Sequence, residues 1–220
     1  MKPVAQEASK KRLSSEERQG EIIRAAVALA EEKDVGSITT QEMAQVMNLT
    51  QGAIFRHFAS KDEIWLAVMN WIREHLMQTL EKATADARGP LDAIRRMYVA
   101  HIAFVSKHPS VPRILFSELQ HSRHGKLRQL MQQLVEGYEK RIMALLEQAQ
   151  QAGEVRDDVD LQSAAILYIG MVQGLVMQAS IYGSKRAMLQ QAEKIFPLFL
   201  QGVCPYSAAP LKAASAGSGG

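Results

Sequence analysis

Apolar residues recur every three to four positions along most of the chain, which is the spacing of one face of an α-helix. In the first such segment the stripe is formed by Ile22, Ile23, Ala26, Leu29 and Ala30. No stretch shows the strict apolar–polar alternation of a half-buried β-strand. The pattern therefore predicts an all-α protein with about nine helices.

Capping boxes predict where the early helices begin. In such a box a Ser or Thr side chain and a Glu three residues later bond each other's backbone N–H groups. The first predicted helix ends near Asp34, the second ends near Met47, and the third box opens a long helix to about Ala83. The three boxes are Ser14-x-x-Glu17, Thr39-x-x-Glu42 and Ser60-x-x-Glu63.

A tight turn at Asn48 and Leu49 separates two short predicted helices, the second capped by Thr50 and ending near His57. Two short helices joined in this way, directly after an amphipathic helix, form a helix-turn-helix unit. A plain helical hairpin with a polar exposed face gives the same pattern. The positions expected to face inward are Met43, Ala44, Val46, Leu49, Ile54 and Phe58.

The outer face of the second short helix carries side chains suited to DNA. Such a helix enters the major groove with its N-terminal residues against the base edges. Gln51 can bond adenine in a bidentate manner, and Ala53 can touch a thymine methyl group. Thr40, His57 and Lys61 are placed to hold phosphates.

This segment resembles the DNA-binding signature of the tetracycline-repressor (TetR) family. The similar stretches are residues 39–44 (TTQEMA) and 49–61 (LTQGAIFRHFASK). The resemblance covers about residues 14–66, and the remainder is similar only in the number, lengths and order of its helices. It implies a helical DNA-binding domain followed by a helical ligand-binding and dimerisation domain.

The resemblance also implies roles for individual residues. Thr50, Gln51 and Ala53 lie at base-reading positions. Thr40, His57 and Lys61 lie at phosphate-contacting positions. Phe55 departs from the family pattern, because a tyrosine whose hydroxyl meets a phosphate is usual there. That contact is lost or replaced, and Phe55 stays a candidate DNA-contacting residue through its apolar ring.

Residues 161–184 contain no charged side chain. Their length alone would allow a membrane span, but glutamines and serines interrupt the apolar run. A helix buried between two subunits explains the composition, as does an internal core helix. TetR-like proteins dimerise through their last two helices, so the first explanation is preferred and no membrane is expected. The interface candidates are Ala165, Gly170, Met171, Gly174, Leu175 and Ile181.

The middle helices combine aromatic and long apolar residues with a few polar groups. Walls of this kind suit a pocket for a mid-sized organic effector, whose identity the sequence does not give. The same residues would also serve as ordinary core. The pocket candidates are Trp65, Met69, Trp71, Tyr98, His101, Phe104, Arg113 and Phe116.

Charge and cysteine content refine these expectations. The 26 Lys and Arg outnumber the 23 Asp and Glu by three, and the surplus lies in a basic arm that includes Lys10, Lys11 and Arg12. Such an arm can hold phosphates or the minor groove, or can be a solvated end. The single Cys204 cannot form an intramolecular disulfide, and no signal-like segment begins the chain. Both features predict a cytoplasmic protein.

Motifs of catalysis are missing from the sequence. It has no glycine-rich phosphate loop, nucleophile elbow or paired catalytic carboxylates, so neither an enzyme nor a cofactor is expected. His121-x-x-His124, with Glu118 one turn earlier, could present three metal ligands on one helical face. A charged surface turn explains these residues equally well, and no metal is assigned.

Together the patterns predict four segments: a basic arm (1–13), a helix-turn-helix domain (14–61), an effector-binding and dimerisation domain (62–202) and an unstructured tail (203–220). The predicted function is that of a homodimeric repressor, released from a palindromic operator in double-stranded DNA by a small organic effector. One alternative is a protein of the same fold with a chromosome- or division-associated role and no effector. The other is an enzyme or metal sensor.

Overall fold

The computed structural model describes residues 14–121 and 125–205. The predicted basic arm, the His121 and His124 side chains and the tail from residue 206 lie outside what it describes. The described residues form α-helices with one short 3-10 helix, Val35–Ser37, and no strand, which confirms the all-α fold. The α-helices are Ser15–Glu32 (α1), Thr40–Val46 (α2), Gln51–Phe55 (α3), Lys61–Thr84 (α4), Pro90–Lys107 (α5), Ser110–His121 (α6), Lys126–Gln151 (α7), Leu161–Tyr182 (α8) and Lys185–Val203 (α9).

The capping chemistry sets the helix starts in the N-terminal part. The boxes that begin at Ser14 and Thr39 are complete, with both reciprocal bonds present. At Ser60 the hydroxyl accepts from the N–H of Glu63, but the Glu63 carboxylate accepts from the N–H of Ala59 at 2.8 Å. In the third box the Glu63 carboxylate therefore bonds the N–H of the residue before the cap instead of the N–H of the cap itself. α4 still begins where the sequence predicts.

The turn between α2 and α3 depends on Asn48, whose φ of +54° lies in the left-handed region that Asn tolerates. The turn closes with a bond of 2.8 Å from the N–H of Leu49 to the carbonyl of Ala44. Ala44 is buried, but Val46 is 56% exposed, which corrects the inward position predicted for it. Two residues beyond Ala44 a helix has rotated by about 200°, so Val46 points away from the core.

α4 is about 35 Å long at 1.5 Å per residue. It begins six residues after α3 ends, packs on α1, and also packs against α5 and α7. α8 and α9 pack together and against α5, with α7 also contacting α8. α6 lies against α1 and the 3-10 helix on one side and α7 on the other. Two helices, α4 and α6, thus join the DNA-binding domain (α1–α3) to the ligand domain (α4–α9).

The predicted interface residues divide between the two faces of α8. Ala165 and Leu175 are buried inside the protomer, which corrects their assignment to a subunit interface. Gly170, Gly174 and Ile181 are exposed, and Met171 is half-buried. α8 has no charged side chain to mark its outer face, and apolar residues lie on both faces, so the two were not separated from the sequence. The exposed apolar residues of α8 that were not predicted are Ile166, Leu167, Met177 and Tyr182.

Among the described residues, α8 is the one helix long and apolar enough to cross a membrane by length and composition. Its inward side contributes Tyr168, Val172 and Val176 to the same core as α4, α5 and α7. The other side is the exposed apolar face just described. Packing within a helical domain accounts for one half of its apolar character, and the outward half needs a partner.

Candidate DNA interface and ligand cavity

The first turn of α3 lies at the surface. Thr50 caps the helix by accepting from the N–H of Ala53 at 3.3 Å. Thr50 and Gln51 are exposed, and Ala53 is half-buried. Ile54, three residues after Gln51, is fully buried, so the end of α3 packs on the core while its first residues stay exposed at the surface.

Gln51 is held by a neighbouring helix. Its Nε2 donates to Oγ1 of Thr40 at 2.8 Å, and Thr40 is itself only 6% exposed. An amide nitrogen carries two hydrogens, so the second N–H and the amide oxygen of Gln51 stay available for N7 and N6 on the major-groove edge of an adenine. Thr40 accepts this bond, so its hydroxyl proton stays available for the predicted phosphate contact. The bond between Gln51 and Thr40 was not predicted from the sequence.

The corner between α3 and α4 is tied to the rest of the DNA-binding domain. The His57 Nδ1 lies 3.2 Å from the Ser15 hydroxyl, and the Gln19 amide donates to the His57 carbonyl at 3.1 Å. Lys61 donates through Nζ to the carbonyl of Gly36 at 3.0 Å. Two of the three predicted phosphate residues, His57 and Lys61, are thus each bonded to a neighbouring element of the domain. Ser15 and Gln19 were missed, because nothing in a sequence pairs α1 with a corner forty residues away.

Phe55 lies on the outer surface of α3 with 45% of its side chain exposed. A large apolar ring at the surface is unusual enough to call for a contact, although single exposed apolar residues do occur. With Thr50 and Gln51 it forms part of the face that α3 presents to solvent. No hydroxyl is available at this position to meet a phosphate.

A cavity of about 840 Å³ lies in the ligand domain between α4, α5, α6, α7 and α8. His101, Phe104 and Phe116 line it, as the sequence predicted for pocket residues. Trp65, Met69 and Tyr98 are buried in the surrounding core and do not line it, and Trp71 stacks on His75 instead.

Arg113 lies outside the cavity as well. Its Nη1 donates to the backbone carbonyl of Glu31 at 2.6 Å, which joins α6 to the end of α1. The sequence placed Arg113 in the pocket because a lone cation among aromatic residues suits a ligand. The structure uses it to connect the wall of the cavity to the DNA-binding domain.

Most of the inner cavity wall is apolar. α4 contributes Ile72 and Leu76, and α6 contributes Val111 and Leu115. Gln132 and Glu136 of α7 and Gln173 of α8 are exposed and also line the cavity. The cavity therefore opens between α7 and α8, next to the outward face of α8.

A line of hydrogen bonds begins at His101 on the cavity wall and runs into the core behind it. Its Nδ1 is 3.2 Å from the Tyr138 hydroxyl, Tyr138 donates to Tyr168 at 3.4 Å, and Tyr168 donates to the Ile94 carbonyl at 3.2 Å. Burial lowers the pKa of His101 to about 4 and raises the pKa of both tyrosines. All three side chains are therefore neutral near pH 7.

Comparison with known proteins agrees with this architecture. Residues 22–68 match the family model "Bacterial regulatory proteins, tetR family", and residues 117–195 match "Tetracyclin repressor-like, C-terminal domain". The two matches together span more than half of the chain.

Individual relatives show the same fold. The nucleoid occlusion factor SlmA of Vibrio cholerae is 27% identical over 158 residues, covering 71% of this chain and 81% of that protein. A TetR transcriptional regulator from Chloroflexus aurantiacus has a TM-score of 0.75 at 20% identity, covering 86% and 98% of the two chains. FadR of Bacillus subtilis, solved in complex with stearoyl-CoA, has a TM-score of 0.73 at 18% identity, covering 83% and 98%. The chain belongs to the TetR family and is a DNA-binding transcriptional regulator.

Proposed function

We propose that the protein is a homodimeric repressor that leaves a palindromic operator when a largely apolar effector enters the cavity of the ligand domain. The observation that carries this proposal is the position of the cavity. It is walled by α4 and α6, and these same two helices contact the DNA-binding domain. A cavity of about 840 Å³ with apolar walls is within the size range of sites for small organic molecules.

Both helices give an effector a route to the DNA. On α4, Ile72 and Leu76 touch the cavity, while Lys61 lies in the first turn beside α3. On α6, Val111 and Leu115 touch the cavity, while Arg113 bonds the end of α1. An effector needs only different affinities for the DNA-competent and incompetent shapes to change operator binding.

The outward face of α8 supports a dimer. Ile166, Leu167, Met177 and Ile181 are each more than 40% exposed, and Leu198 of α9 is 62% exposed. A contiguous apolar patch of this kind marks an interface in soluble proteins. Pairing of α8 and α9 with a second copy would cover it and would set two α3 helices at a fixed separation. Two half-sites with dyad symmetry follow from such a dimer.

A chromosome-associated role is the second candidate, and the similarity to the Vibrio nucleoid occlusion factors favours it. This role would use the same DNA-binding surface and the same dimer as the repressor but would need no effector. The two candidate functions therefore differ only in whether the cavity binds an effector.

Operator selection followed by cavity filling tests the proposal. Full-length protein should select an inverted repeat from a random duplex pool, and lipophilic compounds from a chemical library should release it. Leu115→Trp fills the cavity and should bind the operator but resist release, whereas Val99→Trp introduces the same side chain at an exposed site and should behave as wild type. Equal release of both variants would argue against the cavity, and an operator that no compound releases would favour the chromosome-associated role.

A further inference from the structure

One ring nitrogen stands out in the inner cavity. His101 lines a wall otherwise made by apolar neighbours such as Ile72, Phe104 and Val172, all of which are buried. Its Nδ1 faces Tyr138, so Nε2 is the ring nitrogen left for a molecule in the cavity. The direction of the hydrogen bonds in the line from His101 decides whether that nitrogen donates or accepts.

The direction can be worked out from the far end of the line. A backbone carbonyl only accepts, so Tyr168 spends its single proton on Ile94. Tyr168 must then accept from Tyr138, which spends its own proton on that bond. The oxygen of Tyr138 is left as the acceptor, so the Nδ1 of His101 carries a hydrogen and donates to it.

A neutral imidazole has one N–H group and one bare nitrogen. Burial keeps the ring of His101 neutral, because it lowers the pKa to about 4. With the hydrogen fixed on Nδ1, the Nε2 of His101 is a bare acceptor. The three-residue line thus sets the tautomer of a group that lines the effector cavity.

We propose that the effector is a largely apolar molecule with a hydroxyl group that donates a hydrogen bond to Nε2 of His101. This inference rests on the proposed function, since it names the ligand class of the same cavity. A buried acceptor that meets no donor is costly, so ethers and hydrocarbons of the same shape should bind less well. An ammonium group at Nε2 would lie among apolar side chains, since Glu136, which also lines the cavity, is exposed, and a carboxylate would face Nε2 with a second acceptor. Arg128 also lines the cavity and makes carboxylate binding the main rival.

The tautomer can be measured without any ligand. In ¹⁵N-histidine-labelled full-length protein, the ring signals missing from His101→Asn identify this residue, and they should report hydrogen on Nδ1 and none on Nε2. Tyr138→Phe removes the acceptor and should shift the tautomer. Tyr98→Phe removes another buried phenol, one that has no hydrogen-bond partner among the described residues and does not line the cavity, and should leave the signals unchanged. A wild-type His101 protonated on Nε2 would overturn the proposal.

A matched pair of probes then tests the ligand class. Decanol and methyl nonyl ether have the same number of heavy atoms, but only the alcohol donates. Calorimetric titration should show decanol binding roughly tenfold more tightly to wild type and to Tyr98→Phe, with a smaller ratio for Tyr138→Phe. Equal affinities would overturn the hydroxyl assignment and leave the cavity as an effector site. Decanoate serves as a third probe, and if it binds most tightly the hydroxyl assignment is overturned in favour of an anionic ligand. If none of the three compounds binds, the result counts against both the cavity function and the ligand class.

Discussion

The DNA-binding domain and the ligand domain treat polar side chains in opposite ways. Around α1–α3 exposed polar side chains bond neighbouring elements, as Gln51 does with the buried Thr40 and Lys61 with Gly36. In the ligand domain the informative polar groups are few, and they form one line from the half-buried His101 through two buried tyrosines to Ile94. The first arrangement fixes where a group points, and the second fixes which atom carries a proton.

This difference has an energetic consequence. Surface hydrogen bonds compete with water, so each contributes about 0.5–1.5 kcal/mol and mainly restricts geometry. An apolar ligand that covers a polar atom of the cavity wall without bonding it leaves that atom with its full desolvation penalty. DNA affinity should therefore spread over several contacts, whereas effector choice should depend on one or two atoms.

The largest effect should follow from separating two ligand domains while leaving each folded. Gly174 is exposed on α8, and an added Cβ there meets nothing within 4 Å. Gly174→Glu would bury an unpaired charge in the dimer and should raise the dimer dissociation constant about a hundredfold or more. Sedimentation equilibrium at micromolar concentration measures this, and operator affinity should fall with it.

Gly137→Glu is the matched control. Gly137 is also an exposed helical glycine with open space at its Cβ, but it lies on α7 between Glu136 and Tyr138. The variant should remain dimeric. A folded wild-type monomer at the same concentration, or equal dissociation of both variants, would contradict the interface on α8.

Gln51→Ala should affect the DNA-binding domain alone. It removes the proposed adenine contact and should cost roughly 1–3 kcal/mol at one base position in each half-site. Thr40 loses its partner but stays packed, so the fold should persist. Competition binding against a set of singly substituted operators gives the answer. An unchanged base preference would mean that Gln51 holds α2 and α3 together without reading a base.

Acid should weaken the ligand domain through His101. Its pKa is lowered to about 4 by burial, so the folded state favours the neutral ring. The unfolded chain takes up a proton on this ring near the ordinary pKa of 6.5, whereas the folded protein does so only near 4. The free energy of unfolding is therefore unaffected above pH 6.5 and falls as the pH drops from 6.5 toward 4. Between pH 7 and pH 5 wild type should lose roughly 1–2 kcal/mol more unfolding free energy than His101→Gln. Urea unfolding at the two pH values measures it, and parallel losses would mean that the ring is already protonated or well solvated.

Phe55→Tyr should give the smallest change. A hydroxyl at this exposed position can reach a phosphate and should raise affinity by roughly 0.5–1.5 kcal/mol. Phosphate contacts carry no sequence information, so the gain should appear on random duplex as well as on operator. Titrations at one fixed salt concentration compare the two. A loss on operator with no gain on random DNA would indicate that the Phe55 ring packs on a thymine methyl.

The two domains also differ in what their sequences reveal. Helix starts in the DNA-binding domain follow from Ser14, Thr39 and Thr50, because capping is a contact between residues two or three apart. The exposed position of Gln51 follows from its place in the first turn of α3, directly after the cap residue Thr50. The bonds from Gln51 to Thr40 and from Gln19 to His57 do not, since they join separate helices.

In the ligand domain the helices could be predicted from the sequence, but which side of each helix is buried could not. α8 has apolar residues all round, so periodicity could not separate the buried Ala165 and Leu175 from the exposed Ile166 and Leu167. Trp65, Met69 and Tyr98 have the composition of pocket residues, but their helices turn them into the core. A cavity exists where packing fails to fill space, and residue types along the chain do not encode that.

The outward face of α8 also bears on how this regulator finds its own copy among related proteins in a cell. Partner choice usually relies on unfavourable pairings, such as like charges that meet in the wrong complex. α8 contains no charged residue with which to repel a relative, so it can discriminate by shape and by the hydrogen bonds of its exposed glutamines, but not by charge. Electrostatic selection must then come from α9, where Arg186, Glu193 and Lys194 are exposed. Exchanging their signs between two co-expressed regulators would turn self-recognition into mixed pairing without touching α8.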